Sequence, residues 1–178
     1  MNKHLVWIPV LACAFAFGQT AQERAGERKA AAPAGKMPVS KAAMEPGHKA
    51  WTPGELQWGP APDVLPAGAK LAVLEGDPTK PGEFTMRLKM PGGYKIPPHF
   101  HPRMEHVTLI SGSAYVGMGD KFDESKMAAL PVGTFAWIKP GAHHFAMAKG
   151  ETVIQLHGNG PWVLTYVNPQ DDPRKSKK

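Results

Sequence analysis

Apolar and polar residues alternate most regularly over residues 84–90. There Phe84, Met86, Leu88 and Met90 fall on one side of an extended chain and Thr85, Arg87 and Lys89 on the other. A period of two predicts a strand with one buried and one solvated face. Residues 70–75 (KLAVLE), 107–110, 114–118, 133–138, 152–157 and 162–167 read as further short strands. Gly and Pro punctuate them, as at Gly76, Asp77 and Pro78, and again at Lys80, Pro81 and Gly82. Ser111 and Gly112 read as the turn of a hairpin joining residues 107–110 to 114–118. Pro97 and Pro98 deny two ladder donors, which predicts a strand starting at an edge or loop mouth just before His99. Residues 120–130 form a polar excursion with room for one helical turn capped by Asp123. Many short strands and almost no helix predict an all-β antiparallel barrel or jelly roll.

The pattern stops upstream of Trp51. Residues 19–50 are rich in Ala, Lys, Pro and Gly without a sustained apolar period, which predicts a disordered spacer. Ahead of it, Lys3, an apolar run over residues 5–17 and the small residues Ala16 and Gly18 compose a signal peptide, residues 1–18, cleaved after Gly18. That run is too short to span a bilayer, so no integral membrane segment is expected in the mature form. Cys13, preceded by Val10, Leu11 and Ala12, offers lipoprotein anchoring as the less favoured route, because the apolar run continues past it and Leu11 is bulky. The expected location is periplasmic or secreted. Cys13 is the single cysteine, so the mature chain holds no disulfide and no thiolate metal site. The barrel domain is expected over residues 51–170 and a charged, frayed tail over 171–178.

The net charge of +6 changes the picture little. Between Trp51 and Gln170 ten Lys or Arg meet ten Asp or Glu, so the excess sits in the ends of the chain. A neutral body with basic ends excludes nucleic acid as the expected partner.

The chemistry concentrates in residues 93–112, GYKIPPHFHPRMEHVTLISG. His99 and His101 alternate, so both imidazoles leave a strand on one face, and Glu105, four residues on, returns to it. Imidazole nitrogen and carboxylate oxygen suit first-row divalent metals, and an incomplete set leaves positions open for substrate.

Gly93, His99, His101, Glu105 and Gly112 fill every fixed position of G-x5-H-x-H-x3-E-x6-G, the first motif of the cupins, which the chain resembles over residues 70–167. The second motif, G-x5-P-x-G-x2-H-x3-N, is met at Gly133, Gly141 and His144. Lys139 stands where the proline is usual, Ala148 where the asparagine is, and Pro140 sits one residue late. The resemblance implies a single-domain double-stranded β-helix in which His99, His101, Glu105 and His144 bind one divalent transition metal: Fe, Mn, Cu, Zn or Ni. It implies first a metal-dependent oxidoreductase of dioxygenase type on a small organic substrate, with Glu105 doubling as proton acceptor. The alternative is a metal- or small-molecule-binding module without turnover. Decarboxylation needs a second acid near the metal, for which only the loop residues Asp120, Asp123 and Glu124 offer themselves.

The remaining candidates divide by face. His106 and His143 neighbour ligands and should point away from them, whereas His157 suits either solvent or cavity. Tyr115, Phe135, Trp137, Phe145 and Trp162 are expected mostly to fill the interior rather than to shape an aromatic pocket. Met86, Met90, Met104 and Met118 are read as core rather than copper ligands. Arg87 and Arg103 are read as solvated, with anion binding as their alternative. Exposed strand edges favour a homodimer.

Overall fold

A computed structural model describes residue 47 and residues 49–175. The leader, Cys13 and the spacer up to residue 46 lie outside the described residues. The chain divides after Glu45, and every described strand belongs to the unit Pro46–Lys178.

Eleven strands follow one another: β1 (Gly59–Pro60), β2 (Lys70–Glu75), β3 (Gly82–Met90), β4 (Lys95–Phe100), β5 (Glu105–Ser111), β6 (Ala114–Met118), β7 (Ala128–Leu130), β8 (Phe135–Ile138), β9 (His144–Ala148), β10 (Thr152–Gly160) and β11 (Thr165–Tyr166). They form two antiparallel sheets, ordered β1-β2-β3-β10-β5-β8 and β11-β4-β9-β6-β7. No described helix is long and apolar enough to cross a membrane.

The alternation read from residues 84–90 sets the inner wall of the first sheet. Phe84, Met86, Leu88 and Met90 are all buried, and Thr85, Arg87 and Lys89 are not. Leu88 and Met90 join Leu65, Tyr94, Ile96 and Leu164 in one apolar cluster, while Phe84 and Met86 join Val107 and Leu156 in another. Burying such side chains contributes roughly 1.5–3 kcal/mol each against leaving them exposed, which holds the sheets together without disulfides. Met104 and Met118 are 39% and 56% exposed and are not core.

Three expectations about connections fail. Residues 107–110 and 114–118 are not hairpin partners: β5 pairs β10 and β8, whereas β6 pairs β9 and β7, so the turn at Gly112 carries the chain from one sheet to the other. Gly112 has φ +90°, and a Cβ there would collide with the Glu151 carbonyl and Thr152. Buried Thr152 secures the crossing, its Oγ1 accepting from Ser113 N at 3.1 Å and lying 2.9 Å from the Gly150 carbonyl oxygen.

Nor does a strand begin just before His99. β4 runs through both prolines between β11 and β9, and Ile96 pairs Ala146 while His99 pairs His144. Three steps on β4 thus oppose two on β9. This bulge absorbs the missing donors and turns both Ile96 and His99 inward, which strict alternation forbids.

The strand predicted over 162–167 shrinks to β11, and residues 161–164 form a loop that brings Trp162 to the site. β1 and β7 carry too few residues for a readable period. The excursion holds a 3-10 turn, Glu124–Lys126, whose Asp123 cap accepts from Ser125 N as expected. A 3-10 turn, Pro169–Asp171, capped by Asn168, follows β11, and the Arg174 side chain grips Asp172 through two hydrogen bonds.

Candidate metal centre

β4 ends on His99 and Phe100, His101 follows directly, β5 opens with Glu105 and β9 with His144. All four donors are buried, at 3%, 3%, 8% and 2% exposure. The structure gathers His99, His101 and His144 of the expected quartet into one candidate metal-binding group and places Glu105 beside two of them. One nitrogen from each of the three imidazoles lies within 4.8 Å of the others'. Glu105 reaches two of them, with Oε1 3.4 Å from His101 Nε2 and Oε2 3.6 Å from His144 Nε2.

The outer nitrogens are all spoken for by backbone carbonyls. Nδ1 of His99 lies 2.7 Å from the Pro97 oxygen, that of His101 2.7 Å from Val163, and that of His144 3.0 Å from Ala142. An imidazole that donates from Nδ1 keeps a lone pair on Nε2. Among the described residues His101 Nε2 is the buried side-chain nitrogen or oxygen left without a hydrogen-bond partner. Leaving such an atom dry costs about 1–3 kcal/mol, so it marks a place for a ligand.

Electrostatics fit the same occupant. Burial, helped by neighbouring His144, pushes the His99 imidazolium down to about 3, and burial also lowers His101. Burial pushes the Glu105 carboxyl up, but the contact with His144 and the fields of His101 and His99 outweigh it and hold the group at about 2. An ionised carboxylate beside imidazoles that give up their protons readily, as burial makes His99 and His101 do, is the arrangement that binds metals. A divalent ion bound there would take the place of the imidazole protons as the positive charge opposite Glu105. Donors bonded to one ion at about 2.1 Å sit roughly 3–3.5 Å apart, close to the separations around Glu105.

The site opens on an apolar cavity of about 50 Å³. Its polar lining side chains are His99, Glu105, His144 and Trp162; the rest are aliphatic, Ala or Met. Trp162, weighed from the sequence only as core or pocket filler, donates its Nε1–H to Glu105 Oε1 at 3.2 Å and lies 5.6 Å from the His101 ring. Nothing local in the sequence announces this, because the partners lie 57 residues apart.

The other candidates lie outside the centre. His157 faces away from the cavity, stacked on its cross-strand partner His106 at 4.8 Å, with Phe135 6.0 Å from His106. His143 pairs Asp120 at 2.6 Å. Phe135 and Trp137 are 55% and 54% exposed on edge strand β8, so they do not fill the interior. Phe145 is fully buried on the face of β9 opposite His144, beneath Phe122 and across from Gly117. Arg87 donates to Gln155 Oε1 at 3.1 Å, and Arg103 borders a separate outer cleft with His106 and His157. The loop acids also stay outside: Asp123 caps its turn and Glu124 pairs Lys95 at 2.7 Å.

Two antiparallel sheets wound into a double-stranded β-helix, with a His triad buried between them, define the class. The chain folds as a cupin, and solved structures resemble it accordingly. A candidate acetylacetone dioxygenase from Methylibium petroleiphilum superposes with TM-score 0.54 at 17% identity, covering 73% of this chain and 88% of its own. The polyketide cyclase RemF from Streptomyces resistomycificus gives 0.58 at 14% identity, over 72% and 91%. An RmlC-like cupin from Shewanella frigidimarina gives 0.47 at 12% identity, over 61% and 87%. No family model matches the sequence, and no curated protein matches it.

Proposed function

We propose that this chain is an exported mononuclear-metal cupin acting as an oxidoreductase of dioxygenase type on a small organic substrate. The observation that carries the reading is the orphaned Nε2 of His101, facing Glu105 beside two further buried imidazoles. His99, His101, His144 and Glu105 would hold one divalent ion. Bound there, a redox-active ion supplies Lewis-acid polarisation of a chelating oxygen and passes electrons to dioxygen. A dioxygenase places both oxygen atoms in its products, so no further reductant is required.

The protein's own part is to fix the donors, exclude water and manage charge. Pro97, Ala142 and Val163 orient the imidazoles, and the aliphatic walls keep the substrate dry. A carboxyl held at about 2 is an anionic donor first and a weak proton acceptor. For Glu105 to take a substrate proton, its contacts with Trp162 and His144 must loosen. With Asp120, Asp123 and Glu124 all outside, a two-carboxylate decarboxylase is disfavoured. Support comes from the site itself, since likeness at 14–17% identity speaks for the fold alone. Export follows from residues 1–18, and pairing of two copies along edge strand β8, with its exposed Phe135 and Trp137, belongs to the same proposal.

The test is elemental analysis of protein taken from its native compartment, paired with dioxygen uptake over enolisable and catecholic compounds. Iron, manganese or copper near one per chain with substrate-dependent uptake is expected. Zinc, or no uptake with any metal, would overturn the oxidoreductase reading in favour of a binding module or a non-oxidative reaction.

A further inference from the structure

We infer that the cavity beside His99, Glu105 and His144 takes a ligand with a single negative charge, carried on a bidentate oxygen head, and a short uncharged aliphatic tail. This rests on reading the quartet as a metal site. With three imidazole nitrogens and one carboxylate as its donors, a divalent ion would keep about one formal positive charge, which a monoanionic head neutralises and a dianion exceeds.

The walls decide the rest of the ligand. No Lys, Arg, Ser, Thr, Asn or Gln lines the cavity; Leu65, Ile96, Val116, Leu130, Ile154 and Leu164 represent its surface. The two arginines that sequence offered for anion binding are elsewhere, Arg87 on Gln155 and Arg103 in the outer cleft. A carboxylate on the tail would therefore be buried with no cation to meet it, and a hydroxyl with no partner. Alkyl carbons, by contrast, are transferred from water to matching walls, roughly fourfold in affinity for each methylene. A volume of about 50 Å³ stops that gain after a few carbons.

The experiment uses protein loaded with Co2+, whose binding is read from its visible absorption and stoichiometry, and titrates 2-oxo acids of increasing chain length. The decisive pair is 2-oxopentanoate against 2-oxoglutarate, which have the same chain length and head but tails differing by one charge. Dissociation constants should fall about three- to fourfold per methylene before rising once the tail outgrows the cavity. 2-Oxoglutarate should bind at least about a hundredfold more weakly than 2-oxopentanoate. Equal or tighter binding of 2-oxoglutarate, or no binding by any of the acids, to protein carrying one Co2+ per chain would overturn the inference and leave the metal site standing. Failure to take up Co2+ would overturn the metal reading, and this inference with it.

Discussion

Trp162 and Glu105 meet across 57 residues of sequence, the indole N–H donating to Oε1 at 3.2 Å in a buried site. That bond holds one carboxylate oxygen so that the other faces His144. Groups that orient a metal donor typically contribute 10–100-fold in affinity. Trp162→Phe keeps most of the packing and loses the donor, so metal affinity should fall by about that factor in competition with a chelator, with the fold intact. An unchanged affinity would mean that Glu105 needs no orientation, or is no donor.

His101→Ala and His144→Ala should each abolish stoichiometric metal. His101→Ala differs from an ordinary core truncation, because His101 Nε2 is unsatisfied in the metal-free protein. Removing it offsets part of the cavity cost, so metal-free stability should change by no more than about 1–2 kcal/mol in urea titration. A variant that retains full metal would remove the residue from the ligand set.

Acid should weaken the metal-free protein in a defined window. Above pH 6.5 His99 is neutral whether the chain is folded or not, while below it the unfolded imidazole takes up a proton that the folded one, held at about 3, refuses. Stability therefore falls as pH falls, by about 1.4 kcal/mol per unit from His99, and His101 acts in the same direction. Glu105 adds its own loss below about pH 4.5, as its stabilised anion is protonated on the way to 2. Urea midpoints at pH 7.0 and 5.5 check this; equal midpoints would show that the folded histidines titrate normally.

Gly112→Ala should destabilise the fold by roughly 2 kcal/mol or more, because a left-handed φ and contact with the Glu151 backbone coincide there. Gly93→Ala has the same kind of φ but no atom within 4 Å of its Cβ, so strain alone should cost it less. Thermal melts of the two variants measure the difference, and equal losses would mean that crowding at Gly112 relaxes freely.

What the sequence by itself determined was local. The period of two over residues 84–90 assigned an inner wall, because strand geometry converts spacing into direction. The spacing of His99, His101 and Glu105 picked out the right residues but not their geometry: they do not share one strand face, since His101 follows the end of β4 and Glu105 opens β5 in the other sheet. The cupin resemblance added His144. Only the tertiary structure decided which strands pair, and so turned an expected hairpin at Gly112 into a crossing between sheets. It also decided where aromatics go: Phe135 and Trp137 alternate as cleanly as any core pair, yet their face of the edge strand meets solvent. The roles of Trp162 and of the Val163 carbonyl depend on contacts 57 and 62 residues long, which no periodicity encodes. Face and spacing follow from the backbone's own geometry, whereas pairing and burial depend on which distant surfaces cover one another once the two sheets close.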